Sequence, residues 1–596
     1  MRAIGATLGR IVGRTLRLSV ALLAATAVAA VASAGARTLA ISPLNGTPDA
    51  SPQTQISFLG VPASEITHIS VVGSSSGGHS GKLRSYASSA GASFLPSVGF
   101  AQGERVRVSA LAGPRGHTRR VRTSFTVARL SGYRAPATGP PGQARGGTVQ
   151  SFVSEPSLHP PKIAITASSP VASVGDVFIT PTHGLGQSGP MIIDGAGKLI
   201  WNLVVPSGEV AADLQVESYR GQPVLVWWQG HIPTTLGVGF GHDEIYNAAY
   251  QRVGTVSAGN GYEADLHELQ ITPQGSAFIT AYTLIDTDLS SVGGSRNGAL
   301  QDSLLQEIDI PTGLVMFEWH AYGHVDLRDS YTHPPSTGQP WDFFHINSIS
   351  EDSWGDGNFI VSSRNTWAAY EVDHVSGTVM WHLGGKRSSF KMGPGTGTAY
   401  QHDVRWQPDH TLTIFDNGAV PKAHSQSRLI HEQIDWKHKS VKLLGRYVRI
   451  PGLLTGSQGN DQTLANGNSF VGWGEDPYFT EFATTGQILL DGHFPAPGQS
   501  YRAYRFPWSA TPAAAPKLAV KTSGAVSMLY MSWNGATGMS SWRVLGGPTP
   551  TALAALTAAP AAGFETAVAV PRNADFAVQA LGPAGEVLGA SAAVRG

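Results

Sequence analysis

Residues 193–201 read IDGAGKLIW, and the same pattern of an apolar residue, a glycine-containing turn and an apolar strand returns as IDIPTG at 308–313. It returns again as VDHVSGTVMW at 372–381 and, more weakly, as FATTGQILL at 482–490. Two degenerate copies fill the gaps, so that the anchor positions 197, 254, 313, 377, 440 and 486 are spaced by 57, 59, 64, 63 and 46 residues. The aspartates in these turns (Asp194, Asp309 and Asp373) are interpreted as turn formers and not as catalysts.

Six copies of a β-rich unit at this spacing indicate a six-bladed β-propeller over residues 165–508. Each four-stranded blade can bury its faces only against its neighbours, so the ring has to close. A series of separate β-sandwiches is the competing interpretation, and it explains the regular spacing poorly.

Short β-rich runs lie on both sides of the repeat. Residues 37–130 predict an N-terminal β-sandwich, because runs such as Ile56–Leu59 are separated by Gly/Ser clusters. Residues 131–164 have the Pro/Gly composition of a linker, and residues 512–596 resemble a fibronectin type III sandwich. The predicted fold class is therefore all-β, with a six-bladed propeller flanked by an N-terminal and a C-terminal (Ig/fibronectin-III-like) β-sandwich domain.

The composition excludes several classes of protein. Only 14% of the 596 residues are charged and 41% are hydrophobic, which argues against coiled coils, helical bundles and a wholly disordered chain. The 41 basic and 41 acidic residues cancel, so nucleic acid is a poor candidate partner. Because the chain has no cysteine, thiolate metal sites, cysteine nucleophiles, iron–sulfur clusters and disulfides are excluded.

The N-terminus has the features of a signal peptide. Four arginines precede an apolar run from Leu18 to Ala32, the small residues Ala32-Ser33-Ala34 follow, and the first acidic residue is Asp49. We therefore expect residues 1–36 to direct export and to be cleaved, with an uncleaved anchor as the alternative. The mature chain, without a membrane span, is expected to be secreted or attached to the cell envelope.

A second repeat interleaves with the first and carries candidate chemistry. A polar residue opens a β hairpin at His267, at His345 and at His402, and Asn460 opens a similar unit. The first strand of each propeller blade lines the central channel, so histidines in the same repeat phase are expected to converge at one end of that channel. A histidine in such a place can also serve only to tie blades together by hydrogen bonds.

Two further residues extend this candidate site. Asn347 lies two residues after His345 and is expected to share its face of the strand, whereas Glu268 and Asp403 are expected to point the other way. Arg364 ends the return strand of an antiparallel hairpin, which places it at the same channel mouth as His345.

The other histidines, such as His320, His333, His424 and His438, are expected to be solvated in loops or edge-like segments.

One guanidinium, three imidazoles and an amide suit a small tetrahedral oxyanion. Arginine offers a fork of donors with a permanent charge, and neutral imidazole can act as a nucleophile or proton carrier near neutral pH.

The motifs resemble one known family. The segments DLHELQITPQGSAFIT, DFFHINSI with GDGNFIVSSRNTWAAYEVD, VMWHLGG, and YQHDVRW with TIFDNGA are similar to those of the arylsulfotransferase (ASST-type) family, over about residues 165–500. Its members are sulfotransferases that do not use the nucleotide donor PAPS. The resemblance implies a six-bladed propeller that passes a sulfuryl group from a phenolic sulfate ester to a phenol through a sulfohistidine.

The resemblance also implies roles for residues of this chain. His402 corresponds to the nucleophile, while His267, His345, Asn347 and Arg364 correspond to the groups that hold the sulfate oxygens, one histidine also donating a proton to the leaving phenoxide. No cofactor and no metal at these residues are implied. This chain departs from the best-studied branch of the family in its flanking domains and in having no cysteines for that branch's disulfide.

Two other functions remain open at the level of sequence. Three converging histidines are a ligand set for Zn²⁺ in a hydrolase or lyase, although Arg364 beside a dication is unfavourable unless an anionic substrate bridges them. A propeller between sandwich modules is also a common arrangement for a non-catalytic surface protein, whose flanking domains would contact the cell surface or glycans.

Overall fold

The computed structural model of this protein describes residues 39–135 and 148–596, except 234, 337, 353 and 356. The predicted signal peptide and residues 136–147 of the predicted linker lie outside the described residues. The described chain is built from β-strands, and its helical segments are three short 3₁₀ turns at Ala63–Glu65, Ser290–Val292 and Leu327–Asp329. No helix in these residues has the length and apolar character needed to cross a membrane. The all-β prediction is confirmed.

Six antiparallel four-stranded units lie between residues 176 and 506, and we number them blades 1 to 6. Blade 1 contains Asp176–Ile179, Met191–Ile193, Leu199–Asn202 and Ala503–Phe506; blade 2 contains Val210–Tyr219, Gln222–His231, Phe240–Tyr246 and Arg252–Val256; blade 3 contains Ala264–Ile271, Ser276–Thr287, Gly298–Asp309 and Leu314–His320. Blade 4 contains Ile346–Glu351, Phe359–Ser363, Ala368–Val372 and Val379–Gly384; blade 5 contains His402–Trp406, Thr411–Asp416, Arg428–Asp435 and Ser440–Tyr447; blade 6 contains Asn460–Thr463, Ser469–Gly472, Tyr478–Phe482 and Ile488–His493. Three short strands add to these sheets, namely Ala164–Ser168 on blade 6, Trp341–Asp342 on blade 3 and Lys391–Met392 on blade 5.

The blades form a closed ring. The innermost strand of each blade contacts the innermost strand of the next, and Ala503–Phe506 contacts both Val210–Tyr219 and Asn460–Thr463. Ala503–Phe506 also pairs with Asp176–Ile179, so both ends of the propeller sequence build blade 1. Pairing the first and last strands in one sheet locks the ring, and the predicted six-bladed propeller is confirmed.

The repeat that identified the propeller lies at the turn between the third and fourth strands of the blades. At this turn Gly197, Gly313, Gly377 and Gly486 have φ angles of +81°, +67°, +70° and +84°, which residues with a Cβ adopt at a cost. In these four copies the glycine is therefore the part that the backbone geometry requires.

The core consists of apolar layers between neighbouring blades. Phe278 and Phe317 of blade 3 pack with Phe359 of blade 4, and Phe178 of blade 1 packs with Trp227 of blade 2. Similar layers join blades 2 and 3, 4 and 5, 5 and 6, and 6 and 1. Burying one such side chain contributes about 1.5–3 kcal/mol, so every blade depends on both neighbours for its stability.

Two β-sandwiches flank the propeller. The first pairs the sheet Ala40–Ser42, Ile56–Leu59, Gly91–Pro96 and Gly81–Ser85 with the sheet Gly77–Gly78, Ile66–Gly73, Arg105–Ala112 and Arg119–Thr126. The second pairs Lys517–Ser523, Val526–Ser532 and Glu565–Pro571 with Ala554–Pro560, Ser541–Gly547, Asp575–Leu581, Val587–Ala590 and Val594–Arg595. Each has its own apolar core.

The inner strands depart from regular alternation. Register shifts lie between Ala264 and Leu269 in blade 3 and between His402 and Arg405 in blade 5. Because a bulge inserts a residue into the pleat, Glu268 and Asp403 do not point away from the channel as expected from the period of two. Both carboxylates contact the guanidinium of Arg502, and that sequence-based expectation was wrong.

Arg502 lies directly before the inner strand of blade 1 and is fully buried. Its guanidinium donates to Asp213 of blade 2 at 3.1 Å, to Glu268 of blade 3 at 3.3 Å and to the Asn347 carbonyl of blade 4 at 2.9 Å. A carboxylate of blade 5, on Asp403, lies 3.6 Å away. One cation therefore links five blades at the centre of the ring.

We expect Arg502→Met to destabilise the propeller by about 3–5 kcal/mol, because it leaves the buried carboxylate of Asp213 without its ion-pair partner. It also leaves Glu268 and Asp403 with Arg405 as their remaining guanidinium partner. The measurement is the midpoint of thermal or urea unfolding of the full chain. Arg252→Met is the control, since the Arg252 side chain is 61% exposed although it also contacts a carboxylate, that of Glu244. Its effect should stay within about 0.5 kcal/mol. Equal midpoints for the two variants would contradict the role of Arg502.

Candidate active site

The three predicted histidines come from the inner strands of three consecutive blades. His267 lies within the inner strand of blade 3, His345 directly precedes that of blade 4, and His402 begins that of blade 5. Their exposed fractions are 4%, 0% and 1%. His345 has a φ of +60°, an unusual conformation for a non-glycine residue and one often found at functional sites.

His267 and His345 contact each other directly. Their Nε2 atoms are 3.2 Å apart, and their rings meet edge to face with centroids 4.8 Å apart. Each Nδ1 faces its own carboxylate, at 2.5 Å for His267 with Asp265 and at 2.6 Å for His345 with Asp342. Ionised carboxylates only accept, so both Nδ1 atoms carry protons, and an Nε2–Nε2 hydrogen bond then requires a third proton. The geometry thus suits the pair to sharing one additional proton.

The surroundings of His345 disfavour its protonation. Burial and then the charge of Arg364 lower the pKa of His345 to about 4, despite the opposing effect of Asp342. His345 is therefore the member of the pair that is kept neutral. Burial opposes ionisation of Asp265 and Asp342, but the adjacent histidines outweigh it and lower the pKa of both carboxyl groups.

His402 is fixed in one tautomer. The amide nitrogen of Asn417 donates to the carbonyls of Thr455 at 3.3 Å and Gln458 at 3.0 Å, so its oxygen faces His402 Nδ1 at 2.8 Å. An amide oxygen only accepts, hence Nδ1 is protonated and Nε2 carries the lone pair. That lone pair accepts the backbone N–H of Gln458 at 3.2 Å.

His402 is also kept neutral. Burial lowers its pKa well below the ordinary value, and the charge of Arg364 lowers it further, against the raising effect of the Asn417 hydrogen bond. An imidazole that is neutral, correctly tautomerised and buried is a competent nucleophile at neutral pH.

Arg364 supplies the permanent positive charge. Its Nη2 donates to Asp342 at 3.1 Å, its Nε donates to Asn365 at 3.3 Å, and its guanidinium lies 4.6 Å from the centre of the Tyr400 ring. The Tyr400 ring in turn contacts the ring of His402, with centroids 6.4 Å apart. Through Asp342 and Tyr400, Arg364 is thus connected to both the histidine pair and the third histidine.

Asn347 lies beside this group and is completely buried. Its amide nitrogen donates to the Gln401 carbonyl of blade 5 at 2.8 Å, and its amide oxygen has no hydrogen-bond partner among the described residues. The structure thus gives Asn347 a contact between blades, directly next to His402.

The sequence reasoning missed the residues that orient the three imidazoles. Asp265 lies two residues before His267, and Asp342 lies three residues before His345. The alternation of side chains along a strand does not predict that each carboxylate contacts the histidine that follows it. Asn417 follows the return strand Thr411–Asp416 as Arg364 follows Phe359–Ser363, so the argument that found Arg364 applies equally to it. The hydroxyl of Tyr501 lies 3.4 Å from the His267 carbonyl. No comparable sequence pattern predicts that Tyr501 is a neighbour of His267.

The histidines are a poor metal centre in this arrangement. Across the described residues, the ligand atoms of His267, His345 and His402 do not all lie within 4.8 Å of one another. Two of the three Nδ1 atoms bind carboxylates and Arg364 lies next to the pair, so a dication would meet a fixed positive charge.

A cavity of about 600 Å³ is lined by Leu236, Val238 and Tyr282 together with polar and charged side chains. The ring of Tyr282 also contacts both His345 and His267, with centroids 5.6 and 6.0 Å apart. None of the five predicted site residues lines the cavity, so Tyr282 is its connection to the histidine pair.

Comparison with solved structures gives distant matches. A protein of unknown function from Bacteroides caccae is 11% identical, covers 56% of this chain and 99% of its own, and has a TM-score of 0.35. Streptogramin B lyase is 12% identical over 56% of this chain and 84% of its own, with a TM-score of 0.23. The dihydro-heme d1 dehydrogenase NirN is 11% identical over 72% and 82%, with a TM-score of 0.25. Likeness at this level carries no information about function, and no curated protein matches the chain.

The sequence does match a protein-family model, that of the arylsulfotransferases (ASST), over residues 215–495. This match supports a sulfotransferase type of enzyme. It spans blades 2 to 6 and includes His267, His345, Asn347, Arg364 and His402. Residues 215–495 therefore belong to the arylsulfotransferase (ASST) family.

Proposed function

We propose that this protein transfers a sulfuryl group from a phenolic sulfate ester to a phenol, without PAPS, through a sulfohistidine on His402. The observation that carries the proposal is the contrast between the histidines. His402 presents a lone pair on Nε2, while the Nε2 atoms of His267 and His345 lie 3.2 Å apart, so that this pair can hold a proton between them. A nucleophile and an acid are thus available at the same time in one buried site.

In the first step Nε2 of His402 attacks sulfur, the N–S bond forms and the bond from sulfur to the aryl oxygen breaks. The aryl oxygen keeps the electron pair and takes the proton shared by His267 and His345. Arg364 stabilises the negative charge on the equatorial oxygens, as cationic groups do in phosphoryl transfer.

In the second step a phenol replaces the first product. It returns its proton to the histidine pair as its oxygen attacks sulfur, and the N–S bond breaks with its electron pair returning to Nε2. Because the Gln458 N–H occupies that lone pair in the empty site, donor binding has to displace it. The two half-reactions predict ping-pong kinetics.

We further propose that the protein works outside the cytoplasm, in the cell envelope or secreted. The arginines and apolar run of residues 1–36 support this location.

Incubation with p-nitrophenyl sulfate should add about 80 Da to His402 in a single turnover. The measurement is peptide mass spectrometry after a rapid alkaline quench. His402→Ala should lose the adduct and lower the turnover by a factor on the order of 10³ or more. His438→Ala is the matched control, because the His438 side chain is 67% exposed, and it should keep both. An active enzyme with unmodified His402 would reject the mechanism.

His267→Gln should slow the first step most for poor leaving groups, because it removes the proton donor. We expect a drop of about 10²–10⁴-fold with phenyl sulfate and a clearly smaller one with p-nitrophenyl sulfate. The measurement is the single-turnover rate across a series of aryl sulfates. A loss that is equal for all members of the series would mean that His267 only maintains the structure.

Asn417→Asp should move the acid limb of the first step to higher pH. In the native enzyme burial and Arg364 lower the pKa of His402, so it stays neutral well below pH 6.5. A carboxylate at Nδ1 favours the imidazolium and raises that pKa. Protonation removes the lone pair, so activity is lost at a higher pH than in the native enzyme. The single-turnover pH profile measures this, with exposed Asn297→Asp as control, and coincident profiles for native and Asn417→Asp enzyme would contradict it.

A further inference from the structure

A second cluster of ionisable side chains lies at the junction of the N-terminal sandwich and blade 3. It centres on His320, which the sequence predicted to be solvated. That prediction was wrong, because His320 ends the last strand of blade 3 and is 1% exposed. Asp302 from the adjacent strand of blade 3 and Asp49 from the sandwich are equally buried around it.

Three ligand atoms of the cluster lie close together. His320 Nδ1 lies 3.0 Å from Asp302 Oδ2 and 3.2 Å from Asp49 Oδ2, and all three atoms lie within 4.8 Å of one another. Two ligands bound at about 2.1 Å to one ion are separated by roughly 3.0–3.4 Å at octahedral to tetrahedral angles. The spacing is therefore that of neighbouring ligands around a first-row divalent metal ion.

The other side of the imidazole is held in the manner of a metal ligand. His320 Nε2 lies 3.1 Å from Glu318 Oε1, and since the carboxylate only accepts, Nε2 carries a proton. The carboxylate of Glu318 is in turn bound by Gln306 at 2.5 Å and by Asn260 at 2.8 Å. A carboxylate that fixes the far nitrogen of a histidine, itself held by hydrogen bonds, is the usual second layer of a metal site.

Asp49 provides an independent observation. Apart from the ion-pair contact of Oδ2 with His320 at 3.2 Å, neither of its carboxylate oxygens has a hydrogen-bond partner among the described residues, although the residue is only 1% exposed. The buried hydroxyl of Tyr262, which is close enough to be influenced by the charges of Asp49, Asp302 and His320, also lacks a partner. Leaving such groups unsatisfied is costly in a protein interior, and a bound cation satisfies them.

We propose that Asp49, Asp302 and His320 bind a divalent transition-metal ion, with Zn²⁺ as the best fit. The imidazole ligand disfavours Ca²⁺ and Mg²⁺, which take oxygen ligands. Two carboxylates and a neutral imidazole leave a neutral complex with a dication, and Tyr262 or water completes the coordination. Because Asp49 comes from the sandwich and the other two ligands from blade 3, the ion joins the two domains.

This site has a structural role separate from sulfuryl transfer. The three ligands are all buried, and none of the residues around the proposed nucleophile belongs to the set. The alternative is a cluster without metal, in which His320 is an imidazolium held by three carboxylates.

The test is metal analysis of the full chain, purified without a metal-affinity tag. We expect about one equivalent of Zn²⁺ per chain after dialysis, loss of the ion and a fall of several degrees in the unfolding midpoint with EDTA, and recovery when ZnCl₂ is added. Asp49→Asn and His320→Gln should each abolish both the bound ion and the dependence of the midpoint on ZnCl₂.

Two control variants locate the ion. Asp309→Asn removes a different carboxylate at the same domain junction, where Asp309 accepts the Ala87 N–H, and it should keep the equivalent of zinc. His345→Gln should also keep it, which excludes binding at the histidine pair. The proposal is overturned if the native protein has no bound zinc and its unfolding midpoint does not respond to ZnCl₂. It is also overturned if Asp49→Asn retains zinc or if His345→Gln loses it. Since no substrate is used, the result does not depend on the proposed reaction.

Discussion

The buried guanidinium of Arg502 lies where the inner strands meet, and the rest of the propeller is arranged around it. It contacts carboxylates or a carbonyl of four other blades while its own chain continues into the strand that closes the ring. Burying a charge this deeply is tolerated only when its partners are all present. The same contacts therefore fix the relative positions of the inner strands, and the histidines lie within those strands or at their beginnings.

Neighbouring charges and hydrogen-bond partners give the three imidazoles of the candidate site different environments. Arg364 and burial keep His345 and His402 neutral, while Asp265 and Asp342 hold protons on the paired rings. Three imidazoles in one buried site would otherwise compete for the same protonation state. In the proposed double displacement at sulfur, the carboxylates and the Asn417 amide separate them into one nucleophile and one pair that carries the proton.

The flanking sandwich is connected to the propeller through polar as well as apolar contacts. Asp49 reaches the buried His320, and the Ser57 hydroxyl donates to the Val315 carbonyl of blade 3. Blade 3 also carries His267, so the sandwich packs against the blade that supplies the proposed proton donor. The N-terminal domain is in this way part of the support of the active site.

The architecture could be predicted from the sequence because local sequence patterns repeat along the chain. Glycine turns at regular spacing predicted six blades, and the shared phase of His267, His345 and His402 predicted that they come from equivalent inner strands. The sequence did not predict which residues contact those side chains. Bulges in the inner strands reversed the expected directions of Glu268 and Asp403, and the environment of His320 depends on Asp49, which is 271 residues away in the chain. Sequence periodicity indicates on which face of a strand a residue lies. The protonation of a buried group depends instead on the charges that the closed ring brings within a few ångströms of it. Only the tertiary structure determines which charges these are.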